Sequence, residues 1–231
     1  MDCRLYQPQM RLFLLAIALS ATLATSAQNA QEWRDSLAVL NKAIALQPRS
    51  TDLRLRKAAV NIELNQWDYA IDEYGRVLQL DADNLAARYF RAYAHNHQRH
   101  YDLALRDYEA FLAQVPSHFE ARMGLAMVKR KLGRQVDTVD ELNRLVQQHP
   151  DSAVAYAVRA DYERELKQYE PALYDWDEAI RLAPENAEYV VSKVELLLSL
   201  KRNEEAWAEL QEAQKKGLSK AILKPWIDRC K

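Results

Sequence analysis

The sequence predicts an all-α protein built from repeated antiparallel helix pairs. The chain contains only 4 Gly and 7 Pro among its 231 residues, and it is rich in Ala, Leu, Glu, Arg and Lys, which lose little freedom in a helix. Three prolines, Pro116, Pro150 and Pro184, recur at an interval of 34 residues. Within each interval, apolar residues recur twice with the spacing of an amphipathic helix.

Residues 1–27 are predicted to be a secretory signal. Arg11 precedes the apolar run LFLLAIAL and the small-residue segment SATLATSAQ, which is the order of regions in such signals. We predict cleavage after Ala27, with Met1 or Met10 as the start codon, and therefore an exported protein, periplasmic or otherwise extracytoplasmic. The apolar run is shorter than the roughly 20 residues that a membrane-spanning helix needs. A retained membrane anchor is therefore the alternative to cleavage.

Charge and cysteine content exclude several classes of function. The formal net charge is −1, and the basic residues are spread along the chain, so no nucleic-acid-binding surface is expected. Cys3 lies in the signal, and its surroundings do not match a lipoprotein cleavage site. Cys230 alone remains after cleavage, which excludes an intrachain disulfide.

The 34-residue period defines five repeats. With the recurring prolines numbered as position 32, the repeats begin at Thr51, Leu85, Phe119, Ala153 and Ala187. Positions 8 and 20 hold small residues and position 24 holds large ones, while positions 3, 10 and 14 form one apolar stripe and positions 17, 20, 21, 24, 27 and 28 form another. Each repeat is therefore predicted to fold as a helical hairpin, and proline at position 32 ends the second helix.

The repeat array, residues 51–218, is expected to have a cap at each end. Residues 28–50 supply only a second helix, in which Trp33 and Leu40 would cover the first full repeat. Residues 219–231 are predicted to form a short closing helix. Its covering side chains would be Ile222, Leu223 and Trp226, with a bend or break at Pro225.

Two charged columns predict ion pairs between the helices of each hairpin. Position 7 lies within the apolar stripe of the first helix but is basic in four of the five repeats, and position 23 is acidic in all five. A cation facing a core needs a partner. The predicted pairs are Lys57 with Glu73, Arg91 with Asp107, Arg159 with Asp175, and Lys193 with Glu209, while Glu141 faces Leu125 and is expected to be the exception.

No catalytic or cofactor-binding motif stands out. The glycines are isolated, and the motifs GxSxG, HExxH and CxxC are absent from the chain. His97 and His100 are three residues apart, which allows a metal pair on one helix face. No carboxylate or thiol completes such a site at helical spacing, so no metal, no cofactor and no enzymatic activity are predicted.

The 34-residue length and the residues at positions 8, 17, 20, 24 and 32 resemble the tetratricopeptide repeat (TPR) family. The aromatic column at position 17 includes Trp33, Trp67, Tyr101 and Tyr169. The family's Trp at position 4 is absent, because Arg54, Arg88 and Arg122 are among the residues found there. The resemblance implies a right-handed superhelical solenoid of about five full repeats, with an N-terminal half repeat and a C-terminal capping helix.

The resemblance also implies a non-catalytic scaffold that binds another protein in a concave groove, as a peptide segment or a helix. In the family this groove is lined by positions 2, 5, 9, 12 and 13 of the first helices. The residues expected to line it here are Leu55, Tyr89, Tyr93, Met123 and Met127, bordered by His97, Arg130, Lys131 and Arg164. The family's Lys and Asn pattern for binding a C-terminal carboxylate is not present. The sequence identifies neither the partner nor the oligomeric state.

Overall fold

The computed structural model describes residues 29–230, and these form twelve α-helices and no strand. The predicted signal lies outside the described residues. The helices are α1 (residues 29–46), α2 (Thr51–Glu63), α3 (Trp67–Leu80), α4 (Leu85–His97), α5 (Tyr101–Leu112), α6 (Phe119–Lys131), α7 (Gln135–Gln148), α8 (Ala153–Glu165), α9 (Tyr169–Leu182), α10 (Ala187–Ser199), α11 (Asn203–Lys215) and α12 (Lys220–Ile227). The predicted all-α fold class is confirmed.

The chain divides into two compact bodies, with the boundary between Ala113 and Gln114. In the N-terminal body α2 packs against α3, and α4 packs against both α3 and α5. In the C-terminal body α6 packs against α7, α8 against α9, and α10 against α11, while α12 lies against α10 and α11. Each 34-residue repeat is thus one pair of neighbouring helices. Between residues 29 and 230, no helix is both long and apolar enough to cross a membrane.

The first helix of every repeat begins with a side-chain cap at position 34 of the preceding repeat. The Ser50 hydroxyl accepts a hydrogen bond from Leu53 N at 3.3 Å, and the Asn84 side chain accepts one from Ala87 N at 3.0 Å. A cap of this kind satisfies a backbone donor that the first turn leaves without a partner. The same role is played by His118, Ser152 and Asn186. The caps explain why all five first helices begin at the same position of the repeat.

The turn inside each hairpin uses a left-handed residue at position 15. Gly133 has φ 72°, and Lys167 has φ 62° at the corresponding place. A residue in this conformation ends a helix and lets the chain reverse. The other three residues with positive φ at this position are Asn65, Arg99 and Lys201.

Small and large residues alternate in the cores as the repeat pattern predicts. Ala58 and Ala70, at positions 8 and 20, are fully buried and allow α2 and α3 to approach closely, and Tyr74 at position 24 fills the adjoining space. In the C-terminal body, Ala160 and Trp176 have the corresponding roles. Close backbone approach next to a bulky side chain gives dense packing without cavities.

The four predicted ion pairs are present. Lys57 Nζ lies 3.0 Å from Glu73, and Lys193 contacts Glu209. The Nε and Nη2 atoms of Arg91 donate to Asp107 at 2.7 and 2.8 Å. Arg159 binds Asp175 in the same bidentate way, at 2.6 and 2.8 Å. Lys pairs with Glu and Arg with Asp, so the longer cation meets the shorter anion.

Glu141 also forms ion pairs, although position 7 of its repeat is Leu125. It accepts hydrogen bonds from Arg122 at 2.5 Å, Lys129 at 3.1 Å and Arg144 at 3.3 Å. Arg122 occupies position 4, and the corresponding Arg54 donates to Glu73 at 2.8 Å. The arginine at position 4 is thus a second cation for Glu at position 23, which the sequence reading missed.

The two ends of the described chain are covered by helices, with some differences from the prediction. Leu40 of α1 is buried, whereas Trp33 remains 37% exposed. Helix α12 continues through Pro225 to Ile227, so the predicted break does not occur. Leu223 and Ile227 are the buried residues of α12, while Ile222 is 53% exposed and does not cover the array. Pro225 is exposed, so its ring does not disturb this packing.

Candidate interaction surface

The first helices of the N-terminal body present an aromatic group next to α3. The ring of His97 is stacked on Trp67, with centroids 4.2 Å apart and planes 5° apart. Tyr93 lies edge-on to both, 6.0 Å from Trp67 and 4.5 Å from His97. His97 is exposed and the other two rings are half-buried. Flat, partly exposed rings of this kind offer contact area to a partner at low entropic cost.

Two other predicted groove residues of this body mainly serve packing. Tyr89 is half-buried, with its ring 5.4 Å from that of Phe111 and 6.2 Å from that of Tyr108. Leu55 is also half-buried and packs against the core that contains Ala58 and Tyr74. Their contacts tie α4 to α5 and α2 to α3, so only part of each side chain faces solvent.

The C-terminal body exposes a methionine on α6. Met127 is 46% exposed, whereas Met123 is half-buried against the core formed around Ala126 and Leu142. An exposed methionine adapts to irregular apolar partners because its side chain is flexible and polarisable. Of the two methionines, Met127 is the one placed for contact with another molecule.

The predicted basic border of this surface is partly neutralised. Arg130 forms an ion pair with Glu165, and its guanidinium lies over the ring of Tyr162 at 5.6 Å. Arg164 donates to Asp161 at 3.2 Å. Lys131 is exposed. Of the predicted basic border on α6 and α8, Arg130 and Arg164 are therefore matched by carboxylates.

Arg164 also borders a polar cleft in the C-terminal body. The cleft has a volume of about 520 Å³. Its walls come from α8, α9, α10 and the end of the chain, and its lining includes Asp161, Tyr169, Ser192, Glu195 and Arg229. The cleft places donors and acceptors near the first-helix surface but contains no arrangement of nucleophile and base.

The histidine rings lie beside different neighbours. His97 faces Trp67, and the rings of His95 and His100 are 5.8 Å apart. Across residues 29–230, no group of three or more His, Cys, Asp or Glu side chains converges in a way that could hold a metal ion.

The partners of these surface residues were hidden from sequence reasoning because they lie one repeat away. Trp67 stands 30 positions before His97, and Glu165 stands 35 positions after Arg130. The aromatic column at position 17 pointed to Trp67 as a core residue but did not show that it contacts position 13 of the next repeat. A spacing close to one repeat length is the signal that could have revealed both contacts.

Comparison with protein families identifies the repeat. A family model described as tetratricopeptide repeat matches residues 22–84 and 98–153. These two segments together make up slightly more than half of the chain.

Two similar proteins carry the same repeat. Human tetratricopeptide repeat protein 16 is 25% identical over 183 residues, which is 74% of this chain and 21% of that protein. The small glutamine-rich tetratricopeptide repeat-containing protein 2 of Saccharomyces cerevisiae is 26% identical over 127 residues, or 54% of this chain and 36% of that protein. The chain thus spans only about a fifth to a third of the length of these relatives.

Solved structures share the fold at low sequence identity. A tetratricopeptide repeat protein from Parabacteroides merdae matches with a TM-score of 0.61 and 19% identity, covering 98% of this chain and 86% of that one. MamA from Desulfovibrio magneticus matches with a TM-score of 0.62 and 14% identity, over 69% of this chain and 93% of that one. YrrB, described as having an unusual peptide-binding site, matches with a TM-score of 0.59 and 17% identity, over 79% and 94%.

Proposed function

The chain belongs to the tetratricopeptide repeat family, and we propose that it is an exported, non-catalytic scaffold that binds a peptide segment or helix of another protein. Repeats of this family stack helix pairs into surfaces for protein–protein interaction. The binding surface we propose is the solvent-exposed side of the first helices. Export rests on the predicted signal, which lies outside the described residues.

The observation that carries the proposal is the exposure of large apolar and aromatic side chains on this surface. Met127 is 46% exposed on α6, and on the N-terminal body His97 is stacked on Trp67 with Tyr93 edge-on to both. Side chains of these types are enriched where proteins meet. YrrB, a protein with the same fold, is described as binding a peptide, which supports the same use here.

The charges next to Met127 favour a peptide with its own apolar anchor. Arg130 and Arg164 are already matched by Glu165 and Asp161. A partner that relied on charge alone would have to displace these ion pairs. An apolar side chain placed against Met127 gains by leaving water.

Photo-crosslinking in intact cells tests the proposal. A photoreactive residue in place of Met127 should capture one defined protein, and the captured segment can be identified by mass spectrometry and synthesised. Met127→Glu should then weaken binding of that peptide by at least about tenfold in calorimetry, which is the loss of one buried apolar contact.

Val136 provides the matched control, because it is an apolar residue 74% exposed on the second helix α7. A photoreactive residue at Val136 should not capture the same protein, and Val136→Glu should leave peptide binding unchanged. Equal capture at the two positions, or a peptide insensitive to Met127→Glu, would contradict binding on the first helices.

A further inference from the structure

Two of the ion-pair cations at position 7 also bind a second residue, at position 25 of the preceding repeat. In the C-terminal body, Arg159 Nη1 donates to Asn143 Oδ1 at 3.0 Å, while its other two donor atoms hold Asp175. Lys193 likewise donates to Asp177 at 2.5 Å in addition to contacting Glu209. Each cation therefore joins the second helix of its own repeat to the second helix of the repeat before.

For Arg91, in the N-terminal body, this second acceptor is missing, because position 25 of the preceding repeat is Gly75. Arg91 uses its Nε and Nη2 atoms on Asp107 in the same way as Arg159 does on Asp175. Its Nη1 atom points toward Gly75 and would lie 3.9 Å from a Cβ added there. Glycine is also unfavourable in the middle of α3, by about 1 kcal/mol relative to Ala. Thus Gly75 removes an acceptor and leaves space beside an arginine donor.

The space beside Gly75 is an open cleft. It has a volume of about 440 Å³ and is lined by Ile71, Asp72, Gly75, Arg76, Gln79, Arg91 and His95. Arg76 is exposed at the rim and makes no ion pair with any residue between 29 and 230. Two carboxylates lie near the cleft. Asp72 is at its rim, and Asp107 is bound to Arg91.

The inner wall of the cleft contains a polar group that lacks a partner. His95 follows Arg91 by one helical turn and is only 7% exposed, and its Nδ1 atom makes no hydrogen bond within the described part of the chain. A buried polar atom without a partner costs roughly 1–3 kcal/mol. The cleft thus contains a free donor atom of Arg91, the unpaired Arg76 at its rim and the imidazole of His95. These groups make it a polar site rather than a gap between packed apolar side chains.

We propose that the cleft at Gly75 binds a carboxylate side chain of a partner protein, which accepts a hydrogen bond from Arg91 Nη1. The incoming carboxylate takes the place that Asn143 and Asp177 hold beside the corresponding cations. Asp177 shows that a second carboxylate next to a position-7 cation is tolerated, since Lys193 contacts both Asp177 and Glu209. The guanidinium of Arg76 at the rim offers further charge-assisted donors to a carboxylate, and Asp72 at the same rim offsets part of its charge.

This site lies between α3 and α4, on residues separate from Trp67, Tyr93 and His97. The proposal depends on the proposed function in one respect, which is that the carboxylate belongs to a protein partner. A purified-protein titration with a defined peptide therefore tests it independently of the crosslinking experiment at Met127.

The test is an NMR titration of the protein with two blocked peptides, Ac-Gly-Asp-Gly-NH2 and Ac-Gly-Asn-Gly-NH2, and with inorganic phosphate. The Asp peptide should give saturable shifts at the amides of Gly75 and Arg76 and at the Arg91 side chain. It should bind at least about tenfold more tightly than the Asn peptide, as expected for one charge-assisted hydrogen bond. Phosphate should bind more weakly than the Asp peptide.

Three variants give the test its controls. Gly75→Asp supplies the acceptor within the chain and should abolish the Asp-peptide shifts, whereas Gly75→Ala adds only a Cβ at ordinary contact distance and should retain them within about twofold. Both should keep or raise the melting temperature, because each removes a mid-helix glycine. Arg91→Leu removes every guanidinium donor and has a precedent in Leu125 at position 7 of the next repeat, and it should lose the Asp-peptide shifts.

Specific outcomes would overturn the proposal. These are equal binding of the two peptides, binding of phosphate alone, absence of saturable shifts, or Asp-peptide binding that survives Gly75→Asp and Arg91→Leu.

Discussion

The pKa of Glu163, which lies next to the Arg159–Asp175 ion pair, is changed by burial. Glu163 stands at position 11, one turn after Arg159, and its side chain is 16% exposed with Oε2 unpaired. Burial and the nearby charge of Asp175 raise its pKa to about 7, and Arg159, 4.0 Å away, offsets only part of this. Asp175 takes the closer contact with Arg159, so Glu163 is left as the weaker competitor for the same cation.

The raised pKa of Glu163 predicts a loss of stability with rising pH. In the unfolded chain this carboxyl group titrates near its ordinary pKa of 4.5, so between pH 4.5 and 7 the folded state binds more protons than the unfolded state. The free energy of unfolding therefore falls across that window, by roughly 3 kcal/mol from this group. Glu163→Gln should remove most of this fall, raising stability at pH 8 and changing it little at pH 5, as measured by urea unfolding.

Glu185→Gln is the control for that experiment, because Glu185 is exposed in the turn before α10. It should leave the free energy of unfolding unchanged at both pH values. If Glu163→Gln had the same effect at pH 5 and pH 8, its carboxyl group would not titrate in the proposed window.

Glu73 is a contrasting case, in which partners outweigh burial. Burial alone would raise its pKa, but hydrogen bonds and charges from Lys57 and Arg54 lower it. Two cations therefore keep a buried Glu ionised, whereas Glu163 shares a single arginine with Asp175. Two cations outweigh the burial of Glu73, whereas one shared arginine does not outweigh the burial of Glu163.

Helix boundaries follow from local chemistry that recurs every 34 residues. Side chains at position 34 cap the first helices, and a left-handed residue at position 15 turns the chain. Both effects act over a few residues, and α2, α4, α6, α8 and α10 begin at the repeat starts that the proline period predicted. The closing helix has no repeat to guide it, and its buried face was predicted only in part.

The closing helix α12 provides a test at this scale. Leu223 is fully buried in the last core, so Leu223→Ala should lower the free energy of unfolding by about 2–5 kcal/mol. The adjacent Ile222 is 53% exposed, and Ile222→Ala should change it by less than about 0.5 kcal/mol. Urea unfolding measures both. Equal losses for the two variants would mean that α12 does not pack by this face.

For the whole molecule, the predicted signal makes the proposed export testable. N-terminal sequencing of the exported protein should give a chain that starts at Gln28. Ala27→Arg should block cleavage, because small residues are needed at that position, and the protein should then keep its apolar segment. An intact segment in the unaltered exported protein would instead favour the membrane-tethered alternative.

The sequence by itself determined the repeat length, the hairpin pattern, the family and the four ion pairs between positions 7 and 23. These features repeat at fixed spacing, and hydrophobic periodicity and capping are local properties of the chain. The position-23 column could therefore be matched to position 7 without a structure.

Only the tertiary structure decided how side chains from neighbouring repeats combine. It paired Glu141 with Arg122 and Lys129, stacked His97 on Trp67, neutralised Arg130 with Glu165 and left Arg91 facing Gly75. Such contacts depend on side-chain length and on the distance between helices that are remote in the chain. Position in the repeat limits which residues can meet, but three-dimensional packing selects the partners, and with them the surface open to another protein.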